Sequence, residues 1–117
     1  MLTLSPAVRI YVATAPCNMG KSFRGLTGLV RQRLSEDPLS GHLFCFFNRR
    51  RTLVKCMYAD RTGMTIHYRK LARGTFELPA FEEGVAKVEV DSATLALILE
   101  GIELRSAVRR MRHTRRW

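Results

Sequence analysis

The chain has 117 residues, 46% of them hydrophobic and 26% charged, enough for one compact domain with a real core and too few for two. No apolar run approaches the roughly 20 residues that span a bilayer, and residues 1–6 show neither the basic nor the long apolar region of a signal peptide, so a cytoplasmic protein with no membrane partner is expected. Twenty Lys and Arg against ten Asp and Glu leave a net charge of +10, which points to a polyanionic partner, nucleic acid first, against the bland alternative of a protein that merely happens to be basic.

Sixteen of the twenty cations are Arg, whose planar, permanently charged fork matches phosphate oxygens. The charge is unevenly spread. Residues 1–75 carry thirteen basic and three acidic side chains, residues 76–104 set seven acidic side chains against Lys87, and residues 105–117 hold six Arg and no acid. An acidic segment between two basic ones either folds back on one of them or faces a basic partner protein.

In chain order, Arg9-Ile10-Tyr11-Val12-Ala13-Thr14 is β-branched and aromatic and reads as a strand, broken by Pro16. A helix is expected over 21–34, with Phe23, Leu26, Val30 and Leu34 as its buried stripe and Arg24 and Arg31 facing outward. Residues 36–41 read as a loop. Leu43-Phe44-Cys45-Phe46-Phe47 is apolar throughout, a strand with both faces covered. Asn48-Arg49-Arg50-Arg51-Thr52 is a basic turn, and 53–59 is a strand with Lys55 between apolar neighbours. Asp60-Arg61-Thr62-Gly63 has the residues of a hairpin turn. The strand 64–71 returns with Ile66 and Tyr68 on one face and His67 and Arg69 on the other. A further short strand is read at 75–78 and a last one at 85–90. Asp91 or Ser92 then caps a helix over 93–100, closed by Gly101. The fold class is α+β: a single domain over 1–104, a mostly antiparallel sheet packed against two helices, followed by a basic C-terminal tail over 105–117.

Four chemistries are weighed against their structural alternatives. Ala15-Pro16-Cys17-Asn18-Met19-Gly20-Lys21-Ser22 fits a loose phosphate-loop pattern. Proline removes one amide from the cradle, and the strands that follow read as antiparallel hairpins, so nucleotide hydrolysis is disfavoured. A single nucleic-acid phosphate at that helix start, beside Lys21, is retained. Ile10-Tyr11-Val12 and residues 41–47 echo the two aromatic strand motifs of an RNA-recognition fold, but that fold needs another strand between its first helix and its second motif. Cys45, Cys56 and His67 invite a zinc reading; with no closely spaced ligand pair, buried packing is favoured. His42, His67 and His113 are scattered with no nucleophile beside them, so no catalysis, no cofactor and no metal is expected.

Read together, the segments resemble a known family. Ile10-Tyr11-Val12-Ala13-Thr14-Ala15-Pro16 with Met19, Lys21, Phe23, Gly25, Leu26, Leu29 and Val30 is similar to the opening of the small accessory proteins of insertion-sequence-sixty-six elements. These are sometimes called TnpB and are unrelated to the RNA-guided nucleases of that label. The likeness continues through Asp37-Pro38-Leu39-Ser40-Gly41-His42-Leu43-Phe44-Cys45-Phe46, its most specific stretch, then Asn48-Arg49-Arg50, Leu53-Val54-Lys55, Tyr68-Arg69-Lys70-Leu71, Gly74-Thr75-Phe76 and residues 95–102. Where the family usually shows Asp-Met-Arg-Lys-Gly-Phe, this chain has Asn18-Met19-Gly20-Lys21-Ser22-Phe23, so the phosphate-loop match is drift within a segment that is no phosphate loop in its relatives. The resemblance implies a protein encoded beside a larger transposase, needed for efficient movement of the element, with no catalysis of its own.

The expected function is therefore a transposition accessory protein, nucleoid-associated, that binds DNA, the transposase, or both. The alternatives are a module docking the transposase through its acidic segment without DNA contact, and an RNA-binding domain. Arg49, Arg50 and Arg51 are the leading phosphate contacts. Lys21, Arg24 and Arg31 extend the surface along the first helix, and Lys55, Arg69, Lys70 and Arg73 along the hairpin. Arg105, Arg109, Arg110, Arg112, Arg115 and Arg116 add a basic arm.

Overall fold

Ile10–Ala13 forms strand β1, and every one of its four residues is buried, as a β-branched and aromatic run in mid-sheet demands. The computed structural model describes residues 7–102 and Leu104. The remaining strands are β2 (Leu43–Phe47), β3 (Leu53–Ala59), β4 (Met64–Lys70) and β5 (Lys87–Val90), with helix α1 (Phe23–Gln32) after β1 and helix α2 (Ser92–Leu99) after β5. The sheet runs β4-β3-β2-β1-β5. Three ladders are antiparallel, but β1 pairs with β2 in parallel, Ile10 opposite Leu43 and Val12 opposite Cys45. The hairpin reading of the chain thus holds from β2 to β4 and fails at β1. A parallel pair needs a crossover, and α1 is that crossover.

Side chains alternate across the sheet, and each face receives one helix. On one side Leu26 and Val30 of α1, with Leu34 just beyond it, pack on Tyr11, Ala13, Phe44, Phe46 and Met57. On the other, Leu95 and Ile98 of α2 pack on Ile10, Val12, Leu43, Cys45, Phe47, Val54 and Cys56. Central β2 is buried along its whole length, as its unbroken apolar run predicts. The aromatic residues that echo an RNA-recognition motif, Tyr11, Phe44 and Phe46, are core.

Three local expectations change. Helix α1 is shorter than 21–34. At its start Asn18 holds a turn, accepting from Gly20 N at 2.7 Å and, through its carbonyl, from Lys21 N at 3.1 Å. At its end Ser35 adopts a left-handed backbone, φ 54°. Phe23 leaves the buried stripe: as the first helical residue it is 45% exposed. Residues 75–78 form no strand. Phe76 and Leu78 are buried because their loop inserts them beneath the sheet, where the Phe76 ring meets Phe47 edge-on at 5.4 Å. The strand-like alternation there comes from a loop that plugs the core.

Turn and cap chemistry follows the sequence. Asp60 Oδ1 accepts from Thr62 N and Gly63 N and closes the β3–β4 hairpin. Asp91 is the N-cap of α2, its Oδ1 accepting from Thr94 N at 2.7 Å. Gly101 follows with φ +72°, and a Cβ placed there meets Leu71 Cδ2 at 2.9 Å. Among the described residues, no helix is long and apolar enough to cross a membrane.

Two outcomes follow for stability. Hydrogen bonds from the Thr94 side chain and amide hold the Asp91 carboxyl below its ordinary range. Asp91→Ala should cost about 1 kcal/mol in urea melts at neutral pH. A depressed carboxyl contributes above its unfolded pKa and loses that contribution as pH falls through the folded one. The gap between wild type and variant should therefore close below about pH 4. Gly101→Ala meets both the left-handed backbone and Leu71, and should destabilise by about 1–2 kcal/mol in the same melts.

Candidate nucleic-acid interface

Parallel pairing of β1 and β2 sends both strands out at one rim of the sheet. The loop after β1 leads there into the first turn of α1, carrying Lys21 and Arg24. The turn after β2 carries Arg49, Arg50 and Arg51, and β4 ends at the same rim with Lys70, followed by Arg73. All seven of these residues are exposed. The junction is physical: a shallow cavity of about 460 Å³ is lined by Pro16, Cys17, Asn18 and Met19 from one loop and Asn48, Arg49 and Arg50 from the other.

Asn48 builds the arginine turn. Its Oδ1 accepts from Thr52 N at 2.9 Å and Leu53 N at 3.0 Å, and its Nδ2 donates to Thr52 Oγ1 at 3.1 Å. Arg51 N donates to the Asn48 carbonyl, and Arg51 O accepts from Phe76 N at 2.7 Å. Arg51 is thereby held at φ 57°, a left-handed conformation that costs a residue with a Cβ about 1 kcal/mol or more. Three guanidinium groups are thus presented from a turn whose backbone is tied on both sides.

Among the described residues the ion pairs are Arg9 with Glu89 at 4.0 Å and Lys87 with Glu36. Neither involves Lys21, Arg24, Arg49, Arg50, Arg51, Lys70 or Arg73; Lys87, which opens β5 at this rim opposite Ala13, is the paired one. The nearest acid to the turn, Glu77, lines a second groove with Arg50 and Arg51, yet its Oε2 accepts from Leu104 N at 3.2 Å. The rest of the acidic segment is dispersed: Asp91 caps α2, Glu89 faces Arg9, and Glu82 and Glu83 lie in the loop that enters β5 at this same rim, on the side of the sheet away from β4.

Three sequence candidates fall elsewhere. Arg31 is in the last turn of α1, seven residues along the helix from Arg24. Lys55 is 8% exposed; its Nζ donates to the Lys21 carbonyl at 2.7 Å and lies 4.7 Å from the centre of the Tyr68 ring. It is a structural cation pinning α1 to β3 and drops out of the contact set. Arg69 is exposed but points to the α2 side, where its Nε donates to the Leu99 carbonyl at 2.8 Å, a favourable place for a cation at a helix C-terminus. Arg105, Arg109, Arg110, Arg112, Arg115 and Arg116 lie outside the described residues.

The segment that fits a phosphate loop does lie in a parallel crossover, between β1 and α1. Three of its amides, however, are spent: Cys17 N donates to Phe47 O at 2.8 Å, Gly20 N and Lys21 N to Asn18, and Pro16 has none. Cys45, Cys56 and His67 stand opposite one another in register across β2, β3 and β4. A hydrogen bond with Cys56 and burial push the Cys45 thiol well above its ordinary value, which opposes the thiolate a metal requires. Sequence reasoning missed the exposed ring of Tyr68, 56% accessible, because an edge-strand tyrosine has the same local pattern as a buried one.

Comparison with known proteins places the chain in a family. Residues 8–109 match the family described as IS66 Orf2 like protein. The chain is 33% identical over 105 residues to the uncharacterized protein y4hO of Sinorhizobium fredii (strain NBRC 101917 / NGR234), covering 90% of each chain. It is 30% identical over 103 residues to the uncharacterized protein y4jC of the same organism, covering 88% of this chain and 86% of that one. No solved structure matches. With most of its length matched both to the family and to these relatives, the chain belongs to the IS66 Orf2-like proteins, a family whose membership implies an accessory role in transposition.

Proposed function

We propose that this protein serves transposition by holding DNA through the phosphate backbone, at the rim formed by Lys21, Arg24, Arg49, Arg50, Arg51, Lys70 and Arg73, and that strand-transfer chemistry is left to the element's transposase. One observation carries the proposal: these seven exposed cations gather at one rim, and among the described residues none is paired with a carboxylate. Exposed unpaired cations on a rigid turn are an electrostatic footprint for a polyanion. Leu104 N donates to Glu77 beside Arg50 and Arg51, and the Arg-rich segment 105–117 follows Leu104 in sequence. Contacts of this kind neutralise phosphates and read little sequence. The site of action is the cytoplasm, on the nucleoid, with the transposase as protein partner.

Gel shifts over a salt series test the proposal. Replacing Arg49, Arg50 and Arg51 together by Ala should lower the slope of log affinity against log salt by roughly 2–3, and deleting 105–117 should lower it further. Arg31→Ala, at the opposite end of α1 from Lys21 and Arg24, should leave affinity within about twofold, given the short reach of screened surface charge. Absence of any DNA binding at low salt overturns the proposal in favour of transposase docking alone. Arg51→Gly separates fold from function: relief of the left-handed strain should raise stability by about 0.5–1 kcal/mol, while DNA affinity falls.

A further inference from the structure

The rim ends, on the β4 side, in an aromatic ring. Helix α1 packs over β1 and β2 and leaves the outer strands on its side of the sheet thinly covered: Met64 and Ile66 are half-buried and Tyr68 is exposed. Tyr68 stands directly opposite Lys55 in the β3–β4 ladder. The Lys55 ammonium backs the ring at 4.7 Å and is itself anchored on the Lys21 carbonyl, while Tyr68 stays 56% accessible. The buried cation therefore holds the ring in place while more than half of the residue stays open to solvent. Lys70 is two residues along on the same face of β4, roughly 7 Å away at strand spacing, and pairs with Leu53 at the start of the arginine turn. A second exposed ring, Phe23 at 45%, opens α1 two residues from Lys21 on that side of the sheet.

Rings alternating with cations are what unpaired bases and their phosphates call for. Each base has a flat face that stacks on an aromatic side chain, and its phosphate takes a neighbouring Lys or Arg. Duplex DNA hides those faces in its own stack and has no use for an exposed ring. Resting on the DNA-binding reading above, we infer that the preferred ligand is an unpaired DNA strand, with a base stacked on Tyr68 and the flanking phosphates on Lys70 and the 49–51 turn. Charge complementarity decides against an apolar protein partner here, because Lys55 lies against the ring and Lys70 follows two residues along the same strand.

Fluorescence anisotropy on the full chain tests this with three labelled 20-mers: (dT)20, a mixed-sequence duplex, and an abasic strand that keeps the phosphates and lacks the bases. Wild type should bind (dT)20 about tenfold more tightly than the abasic strand, the increment expected of one stacked base. Tyr68→Ala should remove most of that difference, Tyr68→Trp should keep it, and neither should change duplex binding by more than about twofold. The wild-type comparison needs no variant to fold. Equal affinity for (dT)20 and the abasic strand, or preference for the duplex over (dT)20, overturns the inference while leaving phosphate binding intact. A Tyr68→Ala variant with unaltered DNA binding but a changed sedimentation coefficient also overturns it and assigns the ring to a protein contact. Failure of wild type to bind any of the three strands overturns the DNA reading itself.

Discussion

Two neighbouring strands that run in the same direction must leave the sheet at the same rim. In this protein they are β1 and β2, and nearly every feature of the candidate interface depends on that pairing. It requires the intervening chain to cross over, which makes α1 a crossover helix lying on one face of the sheet. It delivers the first turn of α1 and the β2–β3 turn to one place, although Lys21 and Arg49 are far apart in sequence. It also sends the C-terminal end of α1 away, so the cations of one helix separate: Lys21 and Arg24 stay with the arginine turn, and Arg31 does not. Had β1 paired antiparallel with β2, the two loops would have opened at opposite rims and the positive charge would have been divided.

A single helix of ten residues cannot cover one face of a five-stranded sheet. The core on that side is complete over β1 and β2, where Tyr11, Phe44 and Phe46 meet Leu26 and Val30, and it thins toward β4. Lys55 stands at the boundary. A buried ammonium without partners is among the costliest groups in a protein, so this one is satisfied by a backbone carbonyl and by the electron-rich face of Tyr68, an interaction worth up to about 2 kcal/mol when desolvated. That arrangement links the helix start, the inner strand and the edge strand. It also explains how an aromatic side chain is held in place at the surface.

On the opposite face, α2 and the inserted Phe76 and Leu78 seal the core, and the cations that reach that side serve structure. Arg69 donates to the Leu99 carbonyl at the end of α2, while on the α1 side Arg9 faces Glu89, which is paired with Tyr11 in the sheet. The charge of the chain is thus sorted by the fold into structural cations, each with a partner, and rim cations without one among the described residues. No group of three or more His, Cys, Asp or Glu side chains is arranged to hold a metal among those residues. The built features are electrostatic and aromatic, in keeping with a protein that assists transposition.

Local elements were written plainly in the residues. The apolar run 43–47 specified a central strand, Asp60 to Gly63 specified a hairpin, Asp91 capped its helix, Gly101 ended it, and the three arginines of 49–51 fell on a turn, because each depends on chemistry within a few neighbours. The order and kinds of elements, and hence the α+β class, followed from the same signals, as did membership of the family through its matching segments. What only tertiary structure decided was direction and depth. An apolar strand has one local pattern whichever way its neighbour runs, so the parallel β1–β2 pair was not visible. Alternation looks the same in a paired strand and in a loop that plugs the core, so 75–78 read as a strand. A lysine or tyrosine on β3 or β4 has one identity in sequence whether it is covered or open. Lys55 became buried and Tyr68 remained exposed because the single crossover helix stops short of the sheet's edge, a limit set by packing area, which no short stretch of residues encodes.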